Sequence, residues 1–160
     1  MERPLPANLP AFLVEAKRRT YAGLDDDATV STPLLPASKQ LEYSAGNLRY
    51  RDIYFGMSFF VGQEVVCEDD QAIWSMSYAG GLRPGISDRK TALAAYAFLR
   101  KALLAISEER PFRGPAHFED ADHGYLNATE GSIEDFHGAE QITLRGQLIY
   151  RLRYCGGRLR

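Results

Sequence analysis

Two glutamates stand in the same local pattern, Phe60-x-Gly62-x-Glu64 and Phe136-x-Gly138-x-Glu140. Each is followed by an aromatic ladder: Ile73-Trp74-x-Met76-x-Tyr78-x-Gly80-Gly81 after the first, Ile149-Tyr150-x-Leu152-x-Tyr154-x-Gly156-Gly157 after the second. The spacing between the copies is a constant 76 residues, and eight of the 22 aligned positions are identical. Average residue usage gives only about one or two such matches. In an extended strand alternate residues share a face, so Phe136, Gly138, Glu140 and Ile142 point together, and Tyr150, Leu152 and Tyr154 do the same on the next strand, opposite Arg151 and Arg153. Polar and apolar side chains separate only if those two faces coincide. That register predicts Glu64 beside Trp74 and Tyr78, and Glu140 beside Tyr150 and Tyr154. A plain two-residue turn at Arg145-Gly146 opposes it by one residue.

A carboxylate on an apolar face is costly unless it is paired, hydrogen-bonded or protonated. The available partners are tyrosine hydroxyls, backbone amides beside the glycines, and Arg113 of Arg113-Gly114-Pro115. Beyond structural satisfaction, two chemistries follow. One glutamate could line a ligand pocket whose aromatic walls suit a cationic or planar small organic molecule. Alternatively, Glu64 or Glu140 could act as a general base beside a tyrosine or Arg113. The candidate ligand-binding residues are therefore Glu64, Trp74, Tyr78, Arg113, Glu140, Tyr150 and Tyr154.

Other residue types narrow the field. His117, His123 and His137 have no HxxxH or HxH arrangement, and Cys67 and Cys155 fit no metal spacing, so neither a metal nor a cofactor is expected. No Gly-x-Ser-x-Gly elbow or Cys/His nucleophile pattern occurs. Asp25-Asp26-Asp27 lacks the spaced oxygens of a calcium loop and reads as a solvated turn. Gly62, Gly138 and the Gly-Gly pairs read as strand bulges, since no helix N-terminus follows to make a phosphate site.

The elements that must position the glutamates follow from periodicity. Asn8 can cap a helix over about residues 9 to 21, with Leu9, Phe12, Leu13 and Ala16 on one stripe. Residues 23 to 39 hold no period and read as a long surface loop. From Leu41 to Gly81 aromatic and β-branched residues are punctuated by Ser44-Ala45-Gly46-Asn47, Phe55-Gly56 and Asp69-Asp70, which predicts an antiparallel meander of three or four strands. Ser87 or Asp88 caps a second helix that ends before Pro111, with Ala92, Tyr96, Leu99, Leu103 and Ile106 on one face. Strand composition resumes from about Gly124 to Cys155. Ala11-Phe12-Leu13-x-x-Ala16 matches Ala97-Phe98-Leu99-x-x-Ala102, so the expected fold is α+β, an α-βββ unit occurring twice, over about residues 8–82 and 87–157, around one core, the two halves sharing one sheet or facing each other across a pseudo-twofold axis.

At 160 residues and 45% hydrophobic content, the chain has the size of one domain, 1–160, able to bury a core without disulfides. Its formal charge of −2 is mixed along the sequence, which points away from nucleic acid and anionic membranes. No signal-peptide profile or membrane-length apolar run occurs, so the cytoplasm is the expected location.

The string Leu41-Glu42-Tyr43, Asp52-x-Tyr54-Phe55-Gly56, Gly62-x-Glu64-Val65-Val66, Trp74-x-Met76-x-Tyr78-x-Gly80, Arg113-Gly114-Pro115, Phe136-x-Gly138-x-Glu140 and Tyr154-x-Gly156-Gly157 resembles a bacterial domain-of-unknown-function family. In that family the domain is sometimes joined to an Xre-type helix-turn-helix. The resemblance implies a fold and no particular chemistry. It favours His before the final Gly-Gly, where this chain has Cys155, and this chain starts directly at its first helix, so DNA binding would need a separate partner. The expected role is a non-catalytic small-molecule-binding or sensory module; the alternatives are an enzyme, or a protein-interaction module that docks a protein partner or forms a homodimer through a sheet edge or the 23 to 39 loop.

Overall fold

A computed structural model describes residues 4–23 and 29–160. The acidic run Asp25-Asp26-Asp27, expected as a turn, lies outside the described residues. Along the chain the elements are α1 (Leu9–Arg19), β1 (Lys39–Ala45), β2 (Leu48–Gly56), β3 (Phe59–Glu68), β4 (Gln71–Leu82), α2 (Arg89–Leu104), β5 (His117–Asp120), β6 (His123–Ser132), β7 (Asp135–Leu144) and β8 (Gln147–Arg158). All eight strands form one antiparallel sheet in the order β1-β2-β3-β4-β8-β7-β6-β5.

This corrects the expected α+β arrangement of two α-βββ units. The fold is mainly one eight-stranded sheet with two short helices of 11 and 16 residues. Each half contributes four strands, and β4 pairs directly with β8, with Tyr78 opposite Tyr154. The missed strand of the second half is β5, four residues long and half-buried. It is too short for alternation to stand out from the adjoining turn residues.

Helix α1 ends two residues before the expected boundary, and Asn8 makes no side-chain cap. In α2, Asp88 does cap, its Oδ2 accepting from the Thr91 backbone N–H at 2.8 Å. Phe98 and Ala95 join Leu99, Ala102 and Leu103 on the buried side. Helix α1 packs on β1 and β2, α2 packs on β5 and β6, and the helices touch each other. One face of the sheet is thereby covered. Under it Trp74 stacks on Phe136 at 5.7 Å and Phe112 on Phe136 at 4.1 Å.

The strand register is the one that polarity demands. Gly62 pairs with Tyr78, Glu64 with Met76 and Val66 with Trp74; Gly138 pairs with Tyr154, Glu140 with Leu152 and Ile142 with Tyr150. Both hairpins use tight turns with positive φ at both central residues, Asp69-Asp70 and Arg145-Gly146. The one-residue conflict is removed by a bulge after each turn, where Ile73 and Ile149 are the extra residues opposite the Val66–Cys67 and Ile142–Thr143 steps. These bulges, not Gly62 or Gly138, bend the strands.

Gly62 and Gly138 sit in regular pairing because a tyrosine ring lies against each. A Cβ at position 62 would stand 2.3 Å from the Tyr78 hydroxyl, and one at 138 would stand 2.3 Å from that of Tyr154. Gly62→Ala and Gly138→Ala are each expected to lower the melting temperature by roughly 5–10 °C, through overpacking of about 2–3 kcal/mol. An unchanged melting temperature in calorimetry would show that neither ring needs that space.

Candidate functional site

Glu64 and Glu140 both lie under the helices, 2% and 0% exposed, and each is neutralised by a different device. Glu140, on β7, is held by Arg113 in a two-pronged contact, Nη2 to Oε1 at 2.6 Å and Nε to Oε2 at 3.1 Å. Tyr125 donates to Oε2 at 2.6 Å and Tyr150 to Oε1 at 2.9 Å. Burial opposes the charge on Arg113, but Glu140, with Tyr150 and Tyr125, together outweigh it, so its pKa moves well above the ordinary arginine value. Burial, then Glu140, pushes the Tyr125 and Tyr150 hydroxyls well above the usual phenol range. Four hydrogen bonds, all from protein side chains, saturate this carboxylate.

Glu64, on β3, pairs with Lys17 of α1, Nζ to Oε2 at 2.8 Å. Lys17 also donates to the Phe112 carbonyl and lies 5.9 Å from the Trp74 ring centre. Burial lowers the Lys17 pKa, against the pull of Glu64. Across the β2–β3 ladder Glu64 faces a second buried acid, Asp52, whose Oδ1 accepts from the Tyr78 hydroxyl at 2.6 Å. Burial first, and then the Glu64 charge, raises Asp52 to about 7, while the Tyr78 bond, Arg113 and Lys17 pull it down.

The first half opens where the second is closed. A cavity of about 200 Å³ lies between α1, α2 and strands β1–β4. Its polar end is formed by Lys17, Tyr50, Asp52, Glu64 and Arg113, and its walls include Tyr21, Tyr54, Phe60, Tyr78 and Tyr96. Met57 and Leu93, 76% and 58% exposed, lie at its outer end. There Lys39 sits over the Tyr54 ring at 6.0 Å and Arg100 over Tyr21 at 5.1 Å.

Of the seven residues proposed from sequence, Glu64, Tyr78 and Arg113 line this cavity. Glu140 and Tyr150 belong to the sealed Arg113 cluster. Tyr154 donates to Asn127 Oδ1 at 2.7 Å, and Trp74 donates to the Ile133 carbonyl at 3.1 Å. Sequence reasoning overlooked Asp52, Lys17 and Tyr50. Their signals were present: Tyr50-x-Asp52-x-Tyr54 alternates like the neighbouring strands, and Lys17 continues the Leu9, Leu13, Ala16 stripe at helical spacing. Among the described residues, no group of three or more His, Cys, Asp or Glu side chains is placed to hold a metal ion, and no helix is long and apolar enough to cross a membrane.

Fold and site together define a sheet domain half-covered by two helices, with an aromatic cavity ending on buried acids. The chain belongs to the DUF5680 family, a domain of unknown function, which it matches over residues 52–159, from the middle of β2 to the end of β8. No curated protein and no solved structure matches it.

Proposed function

We propose that the domain is a small-molecule-binding module and that the cavity over β2 and β3 is its site. The observation that carries this reading is the combination of aromatic walls with a buried polar end, the composition by which small organic ligands are held and oriented. A sensory role, in which occupancy is passed to a separate regulatory partner, extends the same reading.

The test is an NMR screen with small planar heterocycles against the wild type and Leu93→Trp. Leu93 is an exposed helix residue at the outer end of the cavity, so tryptophan there can narrow the entrance without disturbing the core. Binding probes should shift the resonances of Tyr54 and Tyr96, and Leu93→Trp should weaken them about tenfold. Shifts confined to the opposite sheet face, around Phe55 and Val61, or no shifts, would remove the proposal.

One observation favours a catalytic variant of this reading. A carboxyl near pH 7 beside a tyrosine hydroxyl at 2.6 Å is suited to proton transfer. Asp52, rather than Glu64 or Glu140, is then the acid–base group, because both glutamates are held by cations.

A further inference from the structure

The two halves of the sheet place corresponding side chains in the same register. Asp52 pairs with Glu64 across β2–β3, and Asn127 pairs with Glu140 across β6–β7. Tyr50 and Tyr125 stand two residues before Asp52 and Asn127 on their strands, and Tyr78 and Tyr154 donate to Asp52 and Asn127 respectively. In the second half the remaining hydrogen-bonding capacity of this group is filled by the chain itself: the Gly114 N–H donates to the Tyr125 hydroxyl at 3.1 Å, and Asn127 Nδ2 donates to the Gly114 carbonyl at 2.9 Å.

In the first half the described residues put no backbone amide in that place. Asp52 is only 5% exposed, yet its Oδ2 takes no hydrogen bond among the described residues, and it faces the cavity. Charge is unbalanced in the same direction. Lys17 pairs with Glu64 and Arg113 with Glu140, and no cation among the described residues lies within ion-pair distance of Asp52. Where the sealed half has a neutral amide, the open half has a carboxylate whose Oδ1 is held by Tyr78 but whose Oδ2 has no donor, with no cation at ion-pair distance, among the described residues.

We infer that the cavity selects ligands carrying a planar cationic N–H donor group, such as an amidinium or a protonated amino-heterocycle, seated against Asp52 Oδ2 and the Tyr50 hydroxyl in the position that the Gly114 peptide occupies in the other half. This rests on the cavity being a binding site. Such a group supplies both missing elements, and its flat π system lies between aromatic walls. It also explains why the carboxylate can remain ionised in the occupied site. The groups facing Asp52 are Glu64 from β3, Tyr78 from β4, Lys17 from α1, Arg113 from the segment after α2, and Tyr50 on its own strand. The raised Asp52 value of about 7 sets the pH at which the empty site can receive a cation.

Benzamidine, benzamide and benzoate form a matched set of similar shape and different charge. Titrated into the wild type at pH 8, benzamidine should bind at least about tenfold tighter than benzoate, and its affinity should fall as pH is lowered through 7 towards 5. In Asp52→Asn, which copies the chemistry of Asn127, the preference for benzamidine over benzamide should drop about tenfold. Benzoate binding as well as benzamidine at pH 8, or a preference untouched in Asp52→Asn, overturns the inference; the binding site itself survives if Leu93→Trp still weakens whichever compound binds. Absence of binding by all three overturns both. Should Asp52→Asn fail to fold, the wild-type ratio of benzamidine to benzoate still decides.

Discussion

Arg113→Ala is expected to destabilise the domain by about 3–5 kcal/mol, a large share of the roughly 5–15 kcal/mol that holds such a domain together. Glu140 is fully buried, and Arg113, itself buried, is the cation that meets both of its oxygens. Removing the guanidinium leaves a carboxylate in a low-dielectric interior with only the Tyr125 and Tyr150 hydroxyls to stabilise it. The loss also deprives Tyr78 of the guanidinium 5.6 Å from its ring centre. Replacing both partners, as in Arg113→Met with Glu140→Gln, should recover most of the stability, because the unpaired charge is gone, one tyrosine can donate to the amide oxygen and the other can accept from the amide N–H. Urea denaturation of the single and double variants measures this directly. A loss below about 1 kcal/mol in Arg113→Ala would mean that the ion pair is not what holds Glu140 in place.

The second large effect has the opposite sign. Asp52 is raised from an ordinary 3.8 to about 7, first by burial and then by Glu64. Between those values the folded chain keeps a proton that the unfolded chain has released, so the folded state is favoured at low pH. The stabilisation is fully present below the unfolded value of 3.8 and is lost as pH rises through the folded value of about 7. The loss is on the order of 2–4 kcal/mol for this residue. Asparagine has no proton to lose, and its oxygen can accept from Tyr78 as Asn127 Oδ1 accepts from Tyr154. Asp52→Asn should therefore match the wild type near pH 4 and exceed it by roughly 2–4 kcal/mol at pH 8. Urea midpoints at the two pH values test this, and equal midpoints at pH 8 would show that Asp52 carries no penalty. Together with a lost preference for benzamidine, a stability gain would mark Asp52 as a residue whose charge serves the site at the expense of the fold.

Strand alternation carried the sequence reading further than its motifs did. Phe-x-Gly-x-Glu and the Tyr-x-Leu-x-Tyr and Trp-x-Met-x-Tyr ladders placed both glutamates on the covered face, and the bulges after the two tight turns supply the one-residue shift that this register needs. The same alternation in Tyr50-x-Asp52-x-Tyr54 contained Asp52, but an acid without a matching partner motif resembled a surface residue. Lys17 likewise opens the basic run Lys17-Arg18-Arg19, whose other two members are exposed. The balanced α+β expectation gives way because each half adds a fourth strand while its helix stays short, and the joining of the halves where β4 meets β8, some 76 residues away along the chain, is a pairing that no local period reports.

What the sequence by itself determined is therefore which side chains share a face, because the two-residue period of a strand and the helical stripe are properties of a few consecutive residues. Only the tertiary structure decided that the eight strands form a single sheet. It also decided that Glu140 is sealed by an arginine arriving from a connecting segment, while Glu64 and Asp52 border a cavity under α1. Those outcomes depend on which distant element reaches each carboxylate first with a cation or an amide, and whether any space is left when it does.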